Sequence, residues 1–167
     1  MSVVIHHNPA CGTSRNVLAM IEASGETPVV IEYLKTGWTR PQLLGLFAAA
    51  GLTPRQALRE KGSPAAELGL LADGVSDAAI LDAMVAHPAL VNRPIVCSPK
   101  GVRLCRPSEL ALDLLDRAPA GFVKEDGERV TDARGARLRR LHFASKERLR
   151  QPWTPSTSVV STPSTLE

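Results

Sequence analysis

Short apolar runs alternate with amphipathic stretches along this chain. Residues 3–6 form a compact apolar run that suits a buried strand, and residues 28–34 (PVVIEYL) carry the β-branched side chains of a second. Between them, Val17, Leu18 and Ile21 recur at helical spacing within residues 14–23, and Gly25 supplies a stop. Strand, helix and strand within about thirty residues match the size of a βαβ unit. The near-universal right hand of such crossovers predicts that the two strands lie parallel.

The next apolar positions are helical. Thr39 is placed to cap a helix with Pro41 in its first turn, running through Leu43, Leu44, Leu46 and Phe47 to Gly51. Shorter helical pieces are predicted at residues 54–60 and 64–71. Ser76 caps a better one, in which Ile80, Leu81, Met84 and Val85 form a single stripe. Residues 95–97 and 102–104 read as two strands joined by the turn Ser98-Pro99-Lys100-Gly101. Pro107 then opens a further helix with Leu110, Leu114 and Leu115 on one face, and Gly127 marks a turn in EDGE. The order βαβ, helical insertion, ββα predicts an α/β thioredoxin-like fold with a mixed four-stranded sheet. From 152 to 165, 11 of 14 residues are Ser, Thr or Pro, so residues 142–167 read as a basic, then Ser/Thr/Pro-rich, disordered tail beyond a domain spanning 1–141.

Length and composition narrow the classes. At 167 residues the chain holds one domain with a proper core. The net charge of +3 suggests a polyanion partner, but residues 1–133 hold 13 Lys or Arg against 15 Asp or Glu, a net of −2. The basic excess is confined to Arg134, Arg137, Arg139, Arg140, Lys146, Arg148 and Arg150. With three Phe, two Trp and one Tyr there is little to stack on bases, so nucleic acid is not an expected partner. No apolar run reaches membrane-spanning length, and the N-terminus lacks a signal-peptide pattern. Three cysteines without a CxxC argue against a disulfide framework and against a metal site. Reduced thiols in the cytoplasm, in a monomer, are the expectation.

One cysteine stands apart. Cys11 lies in HNPACGTSRN, after the first strand and at the opening of the first helix. Unpaired N–H groups and the helix dipole there favour thiolate over thiol. The N–H groups of Gly12, Thr13, Ser14 and Arg15 can also cradle an oxyanion. Gly12 allows close approach, the Ser14 hydroxyl can reach the sulfur, and His7 and Arg15 can add positive charge. The plainer alternative is a small residue filling a tight turn.

HNPACGTSRN resembles the active-site signature of the glutaredoxin-dependent arsenate reductases. QALREK around Arg59, LVNRPIV around Arg93 and RLCRPSE around Arg106 match that family in order, as does KEDGERVTDARGARLR near the end of the folded part. The resemblance covers about residues 3–141. It implies that Arg59, Arg93 and Arg106 surround an arsenate attacked by Cys11, with glutathione as co-substrate, glutaredoxin as partner and no tightly bound cofactor. Pro94 resembles the cis-proline that faces the thiol in such folds. His6 departs from the aromatic expected before His7. Cys105 reads as a half-buried strand residue with a resolving thiol as the alternative, and Cys97 as a core residue.

Two rival readings remain, and a third is excluded. The first is a glutathione-dependent oxidoreductase of the same fold with another substrate. The second is a redox-sensing regulator, which would use CxxC where this chain has Ser14. A phosphatase-like reductase needs arginine six residues after the cysteine, and Val17 stands there.

Overall fold

The computed structural model describes residues 2–138, so the expected tail from 142 onward lies outside the described residues. Strand β1 (Val4–His7) leads into helix α1 (Gly12–Ala23), and β2 (Val29–Glu32) returns beside β1 in parallel, with Val4 opposite Val29. The hairpin β3 (Ile95–Ser98) and β4 (Gly101–Leu104) is antiparallel, and β3 pairs antiparallel with β1. The sheet order is β2-β1-β3-β4, which is the mixed four-stranded sheet expected. Among the described residues, no helix is long and apolar enough to cross a membrane.

The alternation of strand side chains divides the core into two layers. Ile5 and Val96 face α1, packing with Val17, Met20, Ile21, Ala111 and Leu114. Ile95 faces the helical insertion, where Leu43, Phe47, Ile80, Met84 and Leu90 are buried around Tyr33 and Trp38. His6 also faces this side: its ring meets Trp38 at a tilt of 43° with centroids 4.9 Å apart, and Trp38 stacks on Tyr33 at 5.1 Å. The imidazole thereby takes the aromatic place the sequence left in question.

The insertion contains α2 (Tyr33–Thr36), α3 (Arg40–Ala50), α4 (Pro54–Ala57) and α5 (Asp77–Ala86). Thr39 and Gln42 form a reciprocal capping box at the start of α3, and Gly51 closes it in the left-handed region. Ser76 caps α5 by accepting from Ala79 N–H. Its stripe is narrower than expected, because Val85 is exposed.

Several expectations change. The second strand stops at Glu32 and is an edge, leaving Val29 and Val30 largely exposed. Residues 64–71 make turns, not a helix: Gly69 sits at φ +69, and Leu70 N–H reaches back to Ala65 O as at a helix end. Residues 54–60 are helical only to Ala57, because Leu58 is drawn into a bridge with Val91. After Pro107 the chain forms a 3-10 helix (Ser108–Leu114), not an α-helix.

Leu43 is fully buried in the insertion whereas its neighbour Leu44 is 48% exposed. Leu43→Ala is therefore expected to cost about 2–5 kcal/mol in urea unfolding. Leu44→Ala should stay within about 0.5 kcal/mol of the parent.

Candidate active site

Cys11 is the N-cap of α1, with extended backbone angles. The four-residue link from β1 is closed locally: Ala10 N–H donates to Asn8 Oδ1 at 2.9 Å and Cys11 N–H to Asn8 O at 3.0 Å. Gly12, Thr13 and Ser14 then have no carbonyl four residues back within the helix. Arg15 N–H already bonds Cys11 O at 3.0 Å, so it is not part of the cradle the sequence suggested. The sulfur thus sits where a serine cap would place its oxygen.

Cys11 is 8% exposed. Burial pushes its thiol up, but the Ser14 N–H, the Ser14 hydroxyl, the Arg93 guanidinium and the Thr13 N–H outweigh burial and hold it at about 7. The Ser14 oxygen is buried and has no hydrogen-bond partner among the described residues, so no other acceptor competes with the sulfur for its proton. Burial instead pushes Cys105 to about 12, and its side chain is wholly enclosed just beyond β4. That is a packed residue, more buried than expected. Cys97 is only partly buried, on β3 opposite Val4.

A cavity of about 500 Å³ opens over Cys11, lined by Gly12, Thr13, Arg59, Arg93 and Arg106, with Glu60, Lys61 and Asn92 completing the rim. The three arginines come from separate places. Leu58 bridges Val91, while Arg59 N–H donates to Leu90 O at 2.8 Å and Asn92 N–H to Ala57 O at 2.8 Å. This short pairing sets Arg59 beside Arg93. Arg93 precedes a cis-proline as anticipated; the Arg106–Pro107 bond is cis as well. Arg106 Nη1 donates to Arg93 O at 3.3 Å, joining the third arginine to the group.

Their charges are crowded. Burial and then the nearby Arg93 and Arg106 guanidiniums disfavour the charged form of Arg59, against the pull of Tyr33 and Cys11. Among the described residues, none of the three has a carboxylate within ion-pair distance, and Arg93 Nε is buried without a partner. Such a cluster favours an entering anion.

Two predicted site residues are placed differently. Burial holds the His7 imidazole below its ordinary value, with Glu32 and the Ser14 backbone pulling it up and Arg15 pushing it down. It is neutral near pH 7 and brings no positive charge to the thiol. Arg15 does not line the cavity: its guanidinium donates to both Glu125 oxygens, at 2.7 and 2.8 Å, and to Pro9 O at 2.8 Å.

Tyr33, Asn92 and Lys61 were missed in the sequence. Burial pushes the Tyr33 phenol up, against the pull of Arg93 and Arg59. Asn92 Oδ1 accepts from Arg93 N–H at 3.1 Å and so shapes the approach to the cis bond. Asn92 and Lys61 lie inside the quoted LVNRPIV and QALREK motifs; no local signal singles out Tyr33.

Comparison with known proteins follows the same lines. The ArsC family model matches residues 6–114. A Synechocystis arsenate reductase (ArsI2) is 71% identical over 137 residues, covering 81% of this chain and 98% of that protein. The arsenate reductase of Escherichia coli K12 is 51% identical over 139 residues, covering 83% of this chain and 99% of its own length. Among solved structures, an arsenate reductase from Vibrio cholerae superposes with a TM-score of 0.65 at 42% identity, over 69% of this chain and 98% of that one.

Alkylation of Cys11 by iodoacetamide requires the thiolate, so its rate should rise with pH and level off above a midpoint of about 7. Ser14→Ala removes a donor that favours the charged form, so the midpoint should move upward. A midpoint left in place would show that the hydroxyl does not act on the sulfur.

Proposed function

Because the chain belongs to the ArsC family, we propose that it is an arsenate reductase, with Cys11 as nucleophile and Arg59, Arg93 and Arg106 as the anion-holding set. The observation that carries this reading is the meeting of a thiol at about 7 with three guanidiniums in one cavity. Arsenate is a mono- or dianion near neutral pH, so a thiolate approaches it against like charge. Forked, permanently charged guanidiniums offset that repulsion and match the oxyanion edge. Gly12 and Thr13, whose N–H groups have no carbonyl partner within the helix, line the same cavity.

The chemistry begins with attack of the Cys11 sulfur on arsenic, and one protonated oxygen leaves as water. A glutathione thiol then displaces a second oxygen as water. A glutaredoxin thiolate attacks the glutathione sulfur, and the electron pair of the sulfur–arsenic bond stays on arsenic. As(V) becomes As(III) while the two outer thiols become one disulfide. Hydrolysis of the Cys11–As(III) bond releases arsenite and restores the thiolate. Ser14 stands where a CxxC motif has its second cysteine, and Cys105 is too buried and too weakly acidic to replace it. External thiols therefore supply the electrons. The cavity of about 500 Å³ has room for more than one tetrahedral anion, since a water occupies about 30 Å³. A reducing, cytoplasmic setting and a monomer agree with this chemistry. Arsenic detoxification is the role it serves.

Arsenate-dependent NADPH oxidation with glutathione, glutaredoxin and glutathione reductase tests the reading. Wild type should turn over, and Cys11→Ser should not. Arg93→Ala should lose about 10²–10³ in kcat, the size of one missing charge-stabilising donor. A folded wild type that fails with every glutaredoxin supplied would favour the rival, a glutathione-dependent oxidoreductase with another substrate.

A further inference from the structure

The loop carrying Cys11 is held from outside by the segment that follows the 3-10 helix. Residues 121–138 cross over the opening of α1 and are tied to themselves by bridges Val123–Arg129 and Thr131–Arg137. A tight turn exposes Glu125: Gly127 N–H donates to Lys124 O at 2.9 Å, Lys124 N–H to Glu128 O at 2.9 Å, and Gly127 adopts φ +84. Lys124 anchors this turn. Its side chain is only 8% exposed and pairs with Glu109 at 2.6 Å and with Glu128. Glu109 belongs to the 3-10 helix that begins just after Arg106. One face of the turn is therefore attached to the Arg106 side of the cavity.

The other face grips the Cys11 side. Glu125 takes the Arg15 guanidinium in a two-pronged pair at 2.7 and 2.8 Å, and its N–H donates to Asn16 Oδ1 at 3.0 Å. The remaining arm of Arg15 reaches Pro9 O at 2.8 Å, in the middle of the link between β1 and Cys11. A planar, forked cation bonded to a carboxylate on one edge and a loop carbonyl on the other fixes direction as well as distance. The pair is exposed, so it adds little to global stability. Arg93 lowers the thiol directly, and the Arg15 guanidinium, although paired with Glu125, also interacts with the sulfur through its charge.

We infer that Glu125 and Arg15 form one clamp that positions the Cys11 loop against the first turn of α1, and that Arg15 serves there as a positioning residue and not as an anion ligand. This rests on the reading of Cys11 as nucleophile. Displacement of a reacting group by about 1 Å can cost around a hundredfold in rate, so the clamp acts on turnover and not on folding.

A double-mutant cycle tests the clamp. Arg15→Ala and Glu125→Ala should each lower kcat/KM for arsenate roughly ten- to a hundredfold, and the double variant should lose no more than either single. Thermal midpoints should stay close to the parent. Arg15 also acts on the thiolate through its charge, so loop geometry is read from Glu125→Ala, which keeps the cation. Loss of a carboxylate alone would lower the Cys11 alkylation midpoint from about 7, whereas a displaced loop raises it. Glu125→Gln, which keeps one acceptor oxygen, should fall between parent and alanine. Arg40→Ala breaks the exposed Arg40–Asp82 pair far from Cys11 and should leave the alkylation midpoint in place. Parent-like activity in Glu125→Ala beside a loss in Arg15→Ala would overturn the clamp, as would additive losses in the double variant or an unmoved or lowered midpoint in Glu125→Ala. Should the parent turn over no arsenate, the functional reading fails and the alkylation profiles alone decide the clamp.

Discussion

A thiolate and an oxyanion repel each other, and the site is organised around that repulsion. The sulfur must be ionised before it attacks, yet the charge that makes it nucleophilic also keeps the substrate away. The fold separates the two tasks. The N–H groups of Ser14 and Thr13, with the Ser14 hydroxyl, stabilise the sulfur from below, and Arg93 adds its charge from the side. Arg59 and Arg106 complete a positive wall across the same cavity. Burial alone would push Cys11 up, as it does Cys105; the helix opening and the guanidinium reverse the outcome.

That arrangement has an internal cost. Three guanidiniums face one another without carboxylate partners among the described residues, and burial and Arg93 both work against the charge on Arg59. The backbone holds them together regardless: the pairing of Leu58–Arg59 with Leu90–Asn92 fixes Arg59, and the β3–β4 hairpin leads into Arg106. An anion entering the cavity relieves the repulsion, so the binding preference is built in before the substrate arrives.

The sequence was most legible where a local pattern has a local cause. The capped helices α3 and α5, the parallel β1–β2 pair and the β3–β4 hairpin follow from apolar spacing and turn residues. Cys11 and Ser14 were legible because a strand-to-helix turn has known electrostatics. Arg59 was not, because its place depends on a bridge to residues some thirty positions later; only the resemblance pointed to it. His7 and the backbone N–H of Arg15 were misjudged for a related reason, although the Arg15 guanidinium does act on the thiol through its charge. Composition showed two potential cations near the thiol, but burial of the imidazole and the partner Glu125, over a hundred residues away, are tertiary facts.

The most direct test of the central claim needs neither glutathione nor glutaredoxin. The rate of Cys11 alkylation at neutral pH is measured against rising arsenate, in the parent and in Arg93→Ala. If thiol and guanidiniums share one anion site, arsenate will protect Cys11 with a saturable dependence, and Arg93→Ala will need much more arsenate for the same protection. Alkylation that ignores arsenate in the parent, or protection untouched by loss of Arg93, would contradict it.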